Sequence, residues 1–226
     1  MFPFPFSFVA PTASGLADID NVYSMEFDGV SSRYDLGTQP IVTGVFSISM
    51  WVKRNSTSSG DSTQVLIGKD NRSWSGQNLR VFNIFFKNIT GQISFWVSST
   101  GTYSGTYRVD TSTAINDTNW HNIVFLNKGD GQSNEVYVDG VEASYTAQGQ
   151  GRTTLFNTTG IRTAIGGDSL FGTDYNFNGK LDEVAFFDYA LDADQVEEIY
   201  NATSTGKTAD LSAMATPPVA WYRMGD

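Results

Sequence analysis

Hydrolysis of a glycosidic bond needs two carboxylates flanking the scissile bond. The most suggestive acidic pair in this 226-residue chain is Asp182-Glu183. Neighbours in a regular strand point to opposite faces, so these two are expected to face apart and not to share a cleft. The chain has one histidine, His121, between Trp120 and Asn122 and with no obvious nucleophile partner. A structural role is expected for it. There is no cysteine nucleophile and no G-x-S-x-G elbow. Binding chemistry has better candidates. Sugar rings lay their C–H faces on exposed aromatic planes beside polar groups. Trp74 in the polar loop Asp70–Gln77, Tyr103 and Tyr107 around a Gly/Ser/Thr turn, and Tyr175 in a second polar loop fit that description. The alternative for Trp74 is an anchor that folds its loop over the domain edge. Trp51, Trp96, Trp120 and Phe125 sit in apolar runs and are expected in the core.

The elements that must position these residues are mostly strands. Short runs rich in Val, Ile, Phe and Tyr are expected as strands near 23–28, 33–36, 46–53, 64–69, 79–87, 92–98, 106–109, 120–127, 134–139, 161–166 and 180–188. Asp28-Gly29, Thr90-Gly91, Gly129-Asp130-Gly131, Asp139-Gly140 and Gly166-Gly167 punctuate them as turns. The stretches 53–63 and 143–160 are expected as polar connections. One helix stands out: Asp192 followed by Gln195 is a capping box, and Val196, Ile199 and Tyr200 put an apolar stripe on one face. Residues 203–218 are expected as a loop. Val219–Asp226, with Trp221 and Tyr222, is too apolar for a free tail and is expected to dock on the domain 21–226 as a returning strand. Residues 1–20 read as an extended arm. Phe2, Phe4, Phe6 and Phe8 alternate with Pro and Ser, which places the four rings on one side of a stiff segment. Such rings need burial against this domain or a neighbouring subunit.

Composition narrows the partners. The formal charge is −10, so the basic face that nucleic acid requires is hard to assemble, and anionic membranes are disfavoured. No run approaches the length of a membrane-spanning helix. Absence of cysteine excludes a disulfide framework and fits a bacterial or phage protein better than an animal extracellular module. The apolar N-terminus has no Lys or Arg before its apolar run, and Pro3, Pro5 and Pro11 oppose a signal-peptide helix.

Five motifs in order carry a resemblance: Met25–Val30 (MEFDGV), Phe46–Val52 (FSISMWV), Trp120–Val124 (WHNIV), Val136–Gly140 (VYVDG), and Gly179–Val184 (GKLDEV) running into the capped helix. The chain resembles laminin-G-like, concanavalin A-type domains over about 23–200. The resemblance implies an all-β, two-sheet antiparallel jelly-roll sandwich with one short C-terminal helix. Glucanases of that fold present E-x-D-x-x-E on one strand. That motif is missing here, so a non-enzymatic protein is expected. Relatives often hold one structural calcium between an early turn and the final strand. Asp28 and Asp182 match those positions, the alternative being that Asp28 serves its turn and Asp182 pairs with a base. In many such modules a V-A-x-W strand opens the domain, whereas here it closes the chain. It reads as a circular permutation or as the start of a second module. The arm makes the chain similar to laminin-G-like structural proteins of tailed phages, marine ones in particular. The expected function is a virion structural or attachment protein on the particle exterior, a capsid decoration or fibre-like component. It would form homo-oligomers, contact other capsid subunits through the arm, and contact host glycans. The alternative is a secreted or cell-surface lectin-type module that binds polysaccharide.

Overall fold

The computed structural model describes residues 15–40, 44–57, 63–72, 78–87, 90–156, 160–167, 175–201 and 206–225. The four arm phenylalanines and Trp74 lie outside the described residues. Two seven-stranded antiparallel sheets pack face to face. The first contains β2 (Met25–Asp28), β4 (Phe46–Arg54), β9 (Trp120–Asn127), β10 (Glu135–Val138), β11 (Val141–Glu142), β14 (Asn178–Phe187) and β16 (Ala220–Tyr222). The second contains β3 (Tyr34–Asp35), β5 (Gln64–Arg72), β6 (Asn78–Lys87), β7 (Gln92–Ser98), β8 (Thr106–Ala114), β12 (Tyr145–Ala147) and β13 (Ala164–Ile165). A small separate ladder pairs β1 (Asp18–Asp20) with β15 (Lys207–Ala209). This is the expected jelly-roll sandwich.

Alternation along β4 explains how the chain divides. Phe46, Ile48, Met50 and Val52 point between the sheets. There they meet Phe82, Ile84 and Phe86 of β6, Phe95 of β7, and Phe125 of β9. Ser47, Ser49, Trp51 and Lys53 therefore point outward. The helix α1 (Ala193–Asn201) covers part of that outer face. It begins with the expected reciprocal cap: the Asp192 carboxylate accepts from Gln195 N (2.9 Å) and the Gln195 amide oxygen accepts from Asp192 N (3.0 Å). Its buried Val196 and Ile199 join Leu191, Val124, Leu126, Ala185 and Phe187 in a second apolar cluster.

Three expectations need correction. Trp51 and Trp120 are not core residues. Both belong to the outward set of their strands, and Trp120 is 36 % exposed. Trp96 is buried, but in a satellite cluster with Val65 and Phe85 outside the main core. Lastly, Asp182 and Glu183 do not face apart. Asp182 pairs with Trp51 but Ala185 pairs with Ser49, so three steps on β14 match two on β4. This bulge has Glu183 at φ +50, a left-handed conformation that costs a non-glycine residue energy. The extra residue swings Glu183 to the same outer face as Asp182.

The returning tail docks as expected, with Val184↔Tyr222 and Phe186↔Ala220. The adjacent half of the same β14 edge carries β2, with Asn178↔Asp28 and Leu181↔Met25. Both flanking strands run antiparallel to β14, so β16 and β2 lie end to end like one strand interrupted at the bulge. Residues 18–20, expected as arm, and 207–209, expected as loop, pair in the β1–β15 ladder.

Glu183 is 3 % exposed. It accepts from Trp221 Nε1, from Arg223 Nε (3.3 Å) and from Asn21 Nδ2 (3.2 Å). Burial raises its pKa, opposed by the Trp221 and Arg223 contacts. Glu183→Ala removes the acceptor of the Trp221 indole N–H and of Arg223 Nε, and should cost about 3–5 kcal/mol. Glu183→Gln keeps an acceptor oxygen and sheds a poorly solvated charge, so it should cost less than about 1.5 kcal/mol. Urea melts of the two variants check this, and equal losses would remove Glu183 as the tether.

Candidate functional site

A cleft opens on the outer face of the first sheet, beside the part that α1 covers. It encloses about 440 Å³, within the range of small-ligand sites. Cross-strand register builds its floor. One row runs Glu26, Lys180, Lys53, Trp120 across β2, β14, β4 and β9. The next row runs Asp182, Trp51, Asn122. Asn21–Ser24, which follow β1, and Gly206–Thr208, which run into β15, form the wall. Trp51 is fixed from the other side by Tyr200 of α1, stacked at 6.0 Å and 25°. Trp120 presents its partly exposed indole at the mouth.

A clamp holds the start of β9, and with it Trp120. His121 Nδ1 lies 2.7 Å from Asp139 Oδ2, and Nε2 lies 2.9 Å from Asp117 Oδ1. Asp139 also accepts from Asn122 N at 2.9 Å. Hydrogen bonding to Asp139, reinforced by Asp117, raises the imidazole pKa to about 9 against the cost of burial. Both ring nitrogens are occupied by carboxylates, so His121 is a charged structural pin and offers no free base.

Of the aromatic residues expected to bind ligand, the three described ones, Tyr103, Tyr107 and Tyr175, do not line this cleft. Tyr103 is 66 % exposed on a 3-10 turn between β7 and β8, with the Arg80 guanidinium 5.0 Å from its ring. Tyr107 is half-buried on β8, and Arg152 lies 3.4 Å from its ring centroid, so that face is taken. Tyr175 is partly exposed, and its carbonyl accepts from Val65 N of β5. From β8 to β5 the sheet crosses β7 and β6.

Asp28 and Asp182 are likewise kept apart. Asp28 pairs with Asn178, four residues along β14 from Asp182, which is about 13 Å of strand. Its carboxylate already accepts from Val30 N, Ser31 N, Ser32 N and Ser31 Oγ. Those bonds, with the Ser32 amide foremost, hold it far below the usual carboxylate range. The turn alternative describes Asp28, and these two residues do not fit a shared calcium. Among the described residues no group of three potential metal ligands occurs. Asp182 instead lines the cleft, and one of its oxygens accepts from Glu183 N at 2.8 Å.

The bulge gives Asp182 and Glu183 one face, but not one cleft. Both are 3 % exposed: Asp182 lines the cavity, while Glu183 is covered by Asn21, Thr208, Trp221 and Arg223.

Residues 28–197 match the family model described as the concanavalin A-like lectin/glucanases superfamily, of the laminin G type. The chain belongs to that family. No curated protein matches it by sequence. Solved structures match its fold at low identity. A candidate carbohydrate-binding protein from Bacteroides ovatus superposes with a TM-score of 0.62 at 11 % identity. It covers 94 % of this chain, which spans only 53 % of that protein's length. The CBM40 of the Ruminococcus gnavus IT-sialidase, bound to α2,3-sialyllactose, gives 0.61 at 15 % identity over 83 % of this chain and 100 % of its own. Domain 4 of the Geobacillus stearothermophilus arabinanase AbnA, in complex with arabinotriose, gives 0.57 at 22 % identity over 81 % and 80 %.

The His121 clamp makes a signed prediction. A histidine whose folded pKa lies near 9 rather than near 6.5 adds stability that is complete below about pH 6.5 and lost as pH rises through 9. The stability difference between the native protein and His121→Asn should therefore be largest at pH 6 and shrink towards pH 10. Chemical denaturation across that range tests it, and a constant difference would contradict the clamp.

Proposed function

We propose that this chain is a non-catalytic carbohydrate-binding module whose site is the cleft over Trp51 and Trp120. The carrying observation is the pairing of a half-exposed indole with a polar floor inside a cavity of sugar size. Trp120 offers an apolar plane for a sugar's C–H face. Asp182, Asn21 and Thr208 offer hydrogen-bonding groups around it. Trp51 stiffens the floor through its stack on Tyr200, so less freedom is lost when a ligand binds. The neighbours named above support the reading, because two of them are sugar-bound domains attached to enzymes that act on glycans. A module of this kind acts by holding its host protein at a polysaccharide, outside a cell.

The virion-assembly reading depends on the four phenylalanines of the arm, which lie outside the described residues, and the structural neighbours favour glycan recognition over it. Catalysis by a facing carboxylate pair has no support in the geometry, since Glu183 is enclosed and tied to the tail.

The intact protein, applied to an array of plant, bacterial and animal glycans, should bind a definable subset. Trp120→Ala should weaken that binding by more than about 2 kcal/mol, the size of an interfacial aromatic anchor, and should leave the thermal transition nearly unchanged. Binding that survives Trp120→Ala places the site elsewhere, and no binding to any glycan sinks the module reading.

A further inference from the structure

Resting on the carbohydrate reading of the same cleft, we infer that its ligand carries a negative charge: an acidic sugar, with a carboxylate or a sulfate ester seated over Lys53 and Lys180. The argument starts from register. Lys180 and Lys53 are direct cross-strand partners on β14 and β4, and both belong to the outward-facing set. Like charges directly opposite one another in a sheet destabilise it. A chain with only 14 basic residues among 226, and an excess of acidic ones, nonetheless places two of them here.

The surroundings do not resolve the clash. Lys180 has Glu26 on its far side, but at 4.0 Å and with both side chains well exposed, a pair worth little. Lys207, also on the wall, is held by Asp20 at 2.7 Å. Lys53 forms no ion pair among the described residues and stands between Lys180 and the indole of Trp120. Asp182 lies one row further along, where its carboxylate accepts from Glu183 N. The floor thus sets an unmatched ammonium group beside an apolar plane. An acidic sugar matches both, with its ring on Trp120 and its anionic group over the two lysines, where a charge-assisted hydrogen bond is stronger than a neutral one. A neutral sugar would leave the repulsion in place.

The test is calorimetric titration of the full chain with three probes of similar length: oligogalacturonides (carboxylate), sulfated galactan oligosaccharides (sulfate) and neutral galactan oligosaccharides. At least one acidic probe should bind about tenfold or more tighter than the neutral one, and the advantage should shrink with added salt. The two acidic arms tell carboxylate from sulfate. Lys53→Met and Lys180→Met should each lower acidic affinity several-fold, and by a clearly larger factor than they change neutral binding, whereas Trp120→Ala should weaken both. The ligand-free melting temperature of Lys53→Met should equal or exceed that of the native protein, because a repulsion has been removed. If the neutral probe binds as tightly as both acidic ones, or if the lysine variants keep full acidic affinity, the charge inference fails while the cleft reading stands. If Trp120→Ala changes nothing, the cleft reading fails. Failure of all three probes to bind overturns the inference, as does a clear fall in the melting temperature of Lys53→Met.

Discussion

The buried carboxylate of Glu183 is the constraint around which this domain closes. It accepts from Trp221 and Arg223 of the tail and from Asn21 next to β1, while Arg223 also donates to the Asp20 carbonyl. Two segments distant in sequence, the tail and the stretch around Asn21, thus converge on one side chain. That convergence needs the bulge. In an unbroken β14 the residue after Asp182 would point between the sheets, where a carboxylate would meet Met50 and Val52 and lose its solvation without compensation. The left-handed backbone at Glu183 costs some energy locally. It also lets Leu181, Val184 and Phe186 stay in the core on either side of the bulge. The register shift falls between the two halves of the β14 edge, so it also marks where β2 ends and β16 begins.

The cleft is the complement of what α1 covers. The outer face of the first sheet has an apolar half, with Val124, Leu126, Ala185 and Phe187, and the helix takes it. The other half carries Lys53, Trp51, Trp120, Lys180 and Asp182, and no helix made of Val and Ile could cover the two lysines without burying their charge. Tyr200, at the helix end, marks the border by stacking on Trp51. The wall on the far side comes from the β1–β15 ladder, which Glu183 anchors through Asn21. The fold anchor and the cleft therefore share one short stretch of β14.

Much of this was legible in the chain. The five motifs all fall on strands where expected, and the capping box at Asp192 and Gln195 forms as read. Two motifs turn out to be one unit: Trp120-His121-Asn122 and Val138-Asp139-Gly140 are joined by His121 and by the Asn122 amide, both on the Asp139 carboxylate. The outward position of Trp51 was also readable. Strict alternation groups it with Ser47, Ser49 and Lys53, and Trp120 with Asn122, but the aromatic identity suggested core. Here periodicity outranks residue type, because one residue of phase decides which face a side chain occupies. The bulge was not readable, since nothing in Leu181–Val184 marks an extra residue and Glu183 is not the glycine or asparagine that usually takes such a conformation. The β1–β15 ladder was missed for another reason. Asp18-Ile19-Asp20 and Lys207-Thr208-Ala209 are too short and too polar to read as strands, and tertiary pairing alone makes them so.

The acidic balance of the chain and its basic cleft are two sides of one electrostatic design. A net charge of −10 spread over the surface repels anionic polymers from most of the domain. At ordinary ionic strength that repulsion decays over about 8 Å. A ligand that reaches the cleft therefore meets the local field of Lys53 and Lys180 rather than the field of the whole protein. Global charge then works against adventitious binding to polyanions, while the paired lysines reward only an anion that also fits the plane of Trp120. Specificity of this kind comes from a mismatch between local and global charge. If the ligand is acidic as proposed, the Lys180–Lys53 register, set by the pairing of β14 with β4 just before the bulge, is the feature on which ligand choice turns.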